Sequence, residues 1–326
     1  MRPMIVTMGE PAGIGGEITL KAWQTLRTRQ DRVFCVIADT AWLRTMNTDV
    51  PVRAIEHPAE AQEIFPQALP VINLTLTEQV VPGVPNPAHA KTVCESIERA
   101  VAYVQKKDAC AVVTNPIHKT LLGQAGQHFP GHTEYLAHLC GGRHAPIMML
   151  AGGGLRVVPL TIHIPLKNVA GQVTRDMIVT KTRLTAHAMK VQMGIEYPRL
   201  AMAGLNPHAG ENGMIGTEEQ EIIIPAIRQL QEQGLNVTGP HSADTMFHAE
   251  ARASYDVAVC LYHDQALIPL KTLDFYGGVN MTLGLPIIRT SPDHGTAFDI
   301  AGTGQARSES LIAALHQAAQ MALRQA

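Results

Sequence analysis

The 326-residue chain has no excess of charge of either sign: 26 Lys and Arg stand against 28 Asp and Glu, a formal net charge of -2. It also lacks any basic run, so neither DNA nor RNA is expected as a partner held by charge, although a small anion at a local site stays open. No apolar segment reaches 18 residues, and the run near the start, in MRPMIVTMGEPAG, is too short for the core of a signal peptide. Neither secretion nor a membrane span is therefore expected, and the expected compartment is the cytoplasm. The cysteines, Cys35, Cys94, Cys110, Cys140 and Cys260, are odd in number and without C-x-x-C spacing, which points to reduced, buried thiols. Internal repeats, low-complexity tracts and linker-like segments are missing as well.

What is present is an alternation of short β-branched runs with longer helical patterns. Ile5 to Met8 is followed by a helix from about Gly16 to Arg27, then Val33 to Ala38, and the pattern continues to a terminal helix near Ser308 to Leu323. Such alternation implies a largely parallel sheet covered on both faces. Thr174 before Met177 to Met193, with Gly194 after, reads as a capped helix; Thr217 with Gln220 forms a capping-box pattern closed by Gly234. Pro225 inside that second pattern predicts a kink or a later start. The length accommodates two domains, with boundaries expected as 1–130 plus 280–326 for the first and 131–279 for the second.

The loop MGEPAGIGGEI follows a strand and opens a helix, and Asp39 ends the next strand. A dinucleotide fingerprint fails here, because Gly13 and Gly15 supply G-x-G but Ile18 stands at the third glycine position. No Gly-Lys-Ser/Thr follows, so a P-loop is excluded too. The alternative is a tight strand-to-helix turn that needs positive φ.

Three apolar runs each end in a histidine: Arg156 to Ile162 before His163, Leu200 to Pro207 before His208, and Asp256 to Tyr262 before His263. In a parallel sheet all three emerge at the carboxyl edge, where α/β proteins bind ligands. Imidazoles converging there suit a divalent ion such as zinc, manganese or cobalt, with open positions for substrate. The other histidines, His128 and His144 among them, read as surface or hydrogen-bonded core residues. Arg289 follows the apolar run Leu285 to Ile288, so its charge is expected near sheet depth, satisfied by a bound carboxylate or phosphate or by an internal acid. Lys119 follows another strand end, and the turn Gly131-His132-Thr133-Glu134 comes soon after.

The segments TMGEPAGIGGEI, TNPIHK, GHTEYL, TIHIPL, GLNPHAGENGMIGTEE, SADTMF, YHDQALIPLK and VNMTLGLPIIRTSPDHGTAFDIAG are long and specific, and the match they make covers nearly the whole sequence. In them the chain resembles the PdxA family, the 4-hydroxythreonine-4-phosphate dehydrogenases of vitamin B6 biosynthesis. Departures are small: Glu10 stands where many relatives have Asp, and Gly16 where many have Pro.

The resemblance implies a two-domain α/β/α fold of the isopropylmalate dehydrogenase type, with a mixed, largely parallel sheet and no Rossmann domain. It implies a homodimer with its active site at the subunit interface, and a divalent metal (zinc, magnesium, cobalt or manganese) on His163, His208 and His263, with ligands contributed across the dimer. Substrate-binding positions match His132, Thr133, Lys271, Asn280 and Arg289. The segment Asp293 to Gly302 matches the loop that holds the adenosine end of NAD or NADP, through Asp293, His294, Gly295, Thr296, Ala297, Asp299 and Gly302. The implied reaction oxidises C3 of 4-phosphooxy-L-threonine and releases CO₂ to give 3-amino-2-oxopropyl phosphate. Asp244, Asp264 and Lys119 are candidates for the proton acceptor it needs. The alternatives are a related dehydrogenase acting on 4-phospho-D-threonate, 4-phospho-D-erythronate or an aromatic cis-dihydrodiol, and a catalytically silent metabolite-binding protein.

Overall fold

A computed structural model describes all residues except 47, 48, 127, 128, 130, 143–145 and 326, and the side chains of 119, 121 and 122 also lie outside the description. His128 and His144 thus fall outside the described residues. The strands in chain order are β1 (Met4–Thr7), β2 (Phe34–Ala38), β3 (Val52–Ile55), β4 (Leu69–Asn73), β5 (Val112–Val113) and β6 (Ile147–Gly152). They continue with β7 (Leu155–Pro159), β8 (Arg199–Ala203), β9 (Asn236–His241), β10 (Val257–Cys260), β11 (Val279–Leu283) and β12 (Arg289–Pro292).

The chain divides into two compact units. The first is Met1–Pro146 with Leu285–Arg324, and the second is Ile147–Gly284. Both switch points thus fall later than the expected 130 and 280, each at the end of an apolar strand or its approach, so the turn at His132 belongs with the first unit.

In the first unit the strands run β3-β4-β2-β1-β5-β12, all parallel. β1 is wholly buried, Met4 to Thr7 each at 0% exposure, as a strand covered by helices on both faces must be. In the second unit the order is β11-β6-β7-β10-β8-β9, with β11, β6 and β7 antiparallel and β7, β10, β8 and β9 parallel. Its core joins Leu150, Val157, Ala201, Ala258 and Cys260 to Ala266 and Leu270 of the helix His263–Leu273.

Local signals explain most element ends. Thr174 caps the helix Arg175–Met193 by accepting from Met177 N at 3.2 Å, and Gly194 ends it at φ 65°. The capping box expected at Thr217 does not form: Glu218 caps without a side-chain bond, and the chain enters through a π turn, Glu219–Ile223. The regular helix starts only at Ile224 with Pro225 in its first turn, the later start that proline favours. Cys35, Cys94, Cys140 and Cys260 are buried free thiols, and Cys110 is half-buried.

The residue that ends β2 has a structural post. Asp39 Oδ1 accepts from Trp42 N at 2.9 Å, capping the next helix, and Oδ2 accepts from Leu76 N at 2.8 Å. Both oxygens serve the backbone. Asp39→Ala is expected to cost about 1–3 kcal/mol, because a cap is lost and a second N–H is orphaned. Chemical denaturation should show that loss with the KM for the coenzyme unchanged; full stability in the variant would remove Asp39 from this structural post.

Candidate functional site

At the carboxyl edge of the second unit, parallel pairing continues past the regular strands. Leu160 N donates to Cys260 O at 2.8 Å, and the Thr161 hydroxyl donates to Leu261 O at 2.7 Å. Two residues beyond this pair come His163, in a bend, and His263, at the start of the helix His263–Leu273, with their ring centroids 6.1 Å apart. Around them Thr161, Ile164, Leu166, Val169 and Tyr262 line a cavity of about 280 Å³. Gln265 locks the edge: its Oε1 accepts from Leu261 N and its Nε2 donates to Gly204 O, both at 2.7 Å, tying the exit of β10 to the exit of β8. Nothing in the sequence marked Gln265, whose partners lie at different strand ends.

His208 leaves β8 through a left-handed backbone segment (φ 52°) and lies near Asp244, whose carboxyl is held below the usual range, first by the Ser242 hydroxyl and to a lesser degree by His208. Asp244 is thus an exposed, ionised and weak base. Asp264 accepts from His263 Nδ1 at 2.7 Å, a contact that leaves Nε2 of that ring for a ligand. Lys119 begins the helix Lys119–Gln124, and its side chain lies outside the description. Among the described residues, no group of three His, Cys, Asp or Glu side chains gathers around one point. A single chain therefore brings two of its three matched histidines together.

Two substrate-matched residues belong to this unit. Lys271, in the last turn of the helix His263–Leu273, has its ammonium 5.5 Å from the Phe275 ring centre. Asn280 on β11 has a buried Oδ1 with no hydrogen-bond partner among the described residues.

In the first unit, Arg289 opens β12 at 4% exposure, and its Nε and Nη2 donate to the Thr114 hydroxyl at 3.2 and 2.7 Å. Burial pushes its guanidinium pKa down to about 10. His132 starts the helix His132–Leu139, and its Nε2 is sealed from solvent with no hydrogen-bond partner among the described residues. Burial, and then the charge of Arg289, hold this imidazole well below its ordinary pKa of 6.5. Thr133 follows in the same first turn. A buried cation, a neutral imidazole and a helix N-terminus make a setting for an anion, whose charge would offset the desolvation of Arg289.

The nucleotide-matched segment packs on the first loop of the same unit. Ile14 N donates to Thr296 O at 3.1 Å, and a Cβ on Gly13 would meet that oxygen at 2.8 Å, so only glycine permits the approach. Asp293 N donates to Ser310 Oγ, His294 Nδ1 donates to Gly295 O, Ala297 is left-handed at φ 46°, and Asp299 lies in the 3-10 turn Phe298–Ile300. Between the two segments opens a cavity of about 430 Å³ lined by Pro11, Gly13, Glu17, Trp42 and Gly302, among others. Among the described residues, the buried Nε2 of His294 and Oε2 of Glu17 have no hydrogen-bond partner. Lys21 pins the wall, its ammonium donating to Glu17, Gly304 O and Ala306 O at 2.7–2.9 Å. The Glu17–Lys21 spacing is legible as a helical i,i+4 pair, but its reach to residue 304 is not.

With this geometry in view, the comparisons decide the family. Residues 30–318 match the family described as "Pyridoxal phosphate biosynthetic protein PdxA". The chain belongs to the PdxA family. It is 49% identical to a 4-hydroxythreonine-4-phosphate dehydrogenase of Caulobacter vibrioides, with 99% of this chain and 98% of that one covered. A Zymomonas mobilis protein of the same name is 50% identical, with 99% and 96% covered. The crystal structure of the dehydrogenase of that name from Klebsiella pneumoniae superposes with a TM-score of 0.86 at 37% identity, covering 99% of this chain and 100% of the other. The two-domain α/β architecture and mixed, largely parallel sheet agree with this membership. Among the described residues no helix is long and apolar enough to cross a membrane.

The buried imidazole gives a pH test. Because the folded pKa of His132 lies below its unfolded value, the stability it contributes is present above pH 6.5 and is lost as the pH falls toward the folded value. Wild-type unfolding free energy should decline below pH 6.5 with an added slope approaching 1.4 kcal/mol per pH unit at most, roughly one proton's worth. His132→Asn should lack that component in denaturant titrations at pH 5 to 7; parallel profiles for the two proteins would show that His132 is not held neutral.

Proposed function

We propose that the protein is a 4-hydroxythreonine-4-phosphate dehydrogenase, an NAD-dependent oxidoreductase of pyridoxal phosphate biosynthesis. The carrying observation is near-full-length identity of about half to relatives of that name. The substrate is 4-phosphooxy-L-threonine, oxidised at C3 and decarboxylated to 3-amino-2-oxopropyl phosphate, and the setting is the cytoplasm.

The roles are proposed residue by residue. Arg289, His132 and Thr133 hold the phosphate: the guanidinium supplies charge in a dry setting, and the helix N-terminus supplies N–H donors. Lys271 and Asn280 bind the other polar groups of the substrate and orient C3. His163, His208 and His263 hold one divalent ion, for which neutral imidazole is a fitting donor to zinc, cobalt or manganese, and magnesium is the harder alternative. When bound, that ion supplies positive charge that favours loss of the hydroxyl proton and accumulation of negative charge after CO₂ leaves. NAD or NADP, the hydride acceptor, takes its adenosine end to the cavity between Gly13 and Gly302. Asp264 orients His263, which leaves Asp244 or Lys119 as the proton acceptor.

The active form is a homodimer sharing the metal site, as the family resemblance implies, with the His163–His263 pair of one chain as part of the ligand set. A dehydrogenase for 4-phospho-D-threonate or 4-phospho-D-erythronate is the second reading, because Arg289 and His132 grip a phosphate whatever stands at C2.

Initial rates of reduced-nicotinamide formation on the three phosphorylated substrates separate these readings, with 4-phosphooxy-L-threonine expected to be fastest; a preference for either sugar acid would overturn the assignment. Arg289→Ala should raise KM at least about 100-fold, as loss of a buried charge contact does, and an unchanged KM would remove Arg289 from the phosphate site. Mixed dimers formed from two of the single variants His163→Ala, His208→Ala and His263→Ala should regain part of the activity for at least one pairing. No recovery in any pairing would argue against a site shared between copies.

A further inference from the structure

The segment that carries His208 has an unusual backbone. His208, Ala209, Gly210, Glu211 and Asn212 all have left-handed φ and ψ, with φ between 43° and 77°, and only one of them is glycine. For an L-residue this conformation crowds Cβ against the backbone, so a run of this kind persists only when its surroundings over-determine it. The bonds within the run, Ala209 N to Asn206 O and Ile215 N to Gly210 O at 3.1 Å each, close the turn but do not anchor it to the rest of the unit.

The anchor is a carboxylate. Glu219 is 1% exposed and stands at the start of the π turn Glu219–Ile223. Its Oε1 accepts the backbone N–H of both Leu205 and Asn206 at 2.7 Å, and its Oε2 accepts from Asn206 Nδ2 at 2.9 Å. The same amide nitrogen donates to Glu218 Oε2 at 2.7 Å. On the far side of His208 the fit is equally tight, since a Cβ on Gly210 would lie 2.6 Å from Glu219 Oε2. One buried side chain therefore grips the two residues ahead of the turn and abuts its centre. The entry is held again one residue earlier, where Gly204 O accepts from Gln265, the residue that also fixes the segment bearing His263.

We infer that Glu219 is the positioning residue for His208: its buried carboxylate holds the left-handed turn in the one shape that presents that imidazole at the carboxyl edge. This rests on the reading of His208 as a metal ligand. The π turn follows from the same demand, because its extra residue turns Glu219 inward at the cost of the regular helix and the Thr217 capping box. Charge matters as well as shape. A glutamine at 219 keeps the acceptor for Leu205 and Asn206 but sets its own NH₂ against Asn206 Nδ2, donor against donor.

The test is direct titration of the metal-stripped protein with cobalt(II) alone, followed by its visible absorption, for wild type and Glu219→Gln. Nicotinamide binding, read from the fluorescence of Trp42 in the first-unit cavity, and thermal midpoint are measured alongside. Glu219→Gln is expected to bind cobalt about 10- to 100-fold more weakly, the usual effect of losing support behind a metal ligand, and with an altered band shape. Nicotinamide affinity should stay at the wild-type value. Unchanged cobalt affinity and spectrum in Glu219→Gln would overturn the inference while leaving the metal reading intact. A wild type that takes up no cobalt would instead remove the metal reading and this inference with it. If Glu219→Gln does not fold, Asn206→Ala, which removes only the Nδ2 links, should weaken cobalt binding several-fold, and wild-type binding there would overturn the inference.

Discussion

Parallel pairing of β7, β10 and β8 is the constraint on which the candidate site depends. Parallel strands need crossover connections, which lay helices over both faces and leave the strand ends as the place where polar side chains can be kept. Since the three strands run the same way, their exits share one edge. The register then continues through Thr161 and Leu261, and this is what sets His163 beside His263. A slip in either strand would carry one ring away from the other.

Each unit keeps expensive polar groups below its surface, and each such group has a purpose suited to its cost. Arg289 and His132 are desolvated together, the one pushed down to about 10 and the other held neutral, an arrangement that gains most when an anion arrives. Glu219 is buried too. It accepts three hydrogen bonds, and its effect is to fix backbone.

Legibility varied with the range of the interaction. Thr174 and Gly194 declared their helix because caps are local chemistry. Asp39 follows a strand with no local mark of its partners, and it spends both oxygens on Trp42 N and Leu76 N, the second supplied by a residue 37 positions away. Thr217 and Gln220 had the right spacing for a capping box, yet the chain there forms a π turn whose Glu219 accepts from Leu205 N and Asn206 N. Gln265, Lys21 and Glu219 carried no signal of their importance, since each acts on backbone that only folding brings near.

The sequence by itself determined the alternating α/β character, the strand ends marked by histidines, the reduced cysteines and, through long shared segments, the family. These rest on periodicity, local capping and motif identity, all of which a linear chain displays. Only the tertiary structure decided which histidines meet, how His208 is presented, and that the loop at Gly13 and the loop at Gly302 face one cavity. The physical reason is the same in each case. Register, burial and a hydrogen bond between distant residues arise from packing, and no spacing along the chain encodes them.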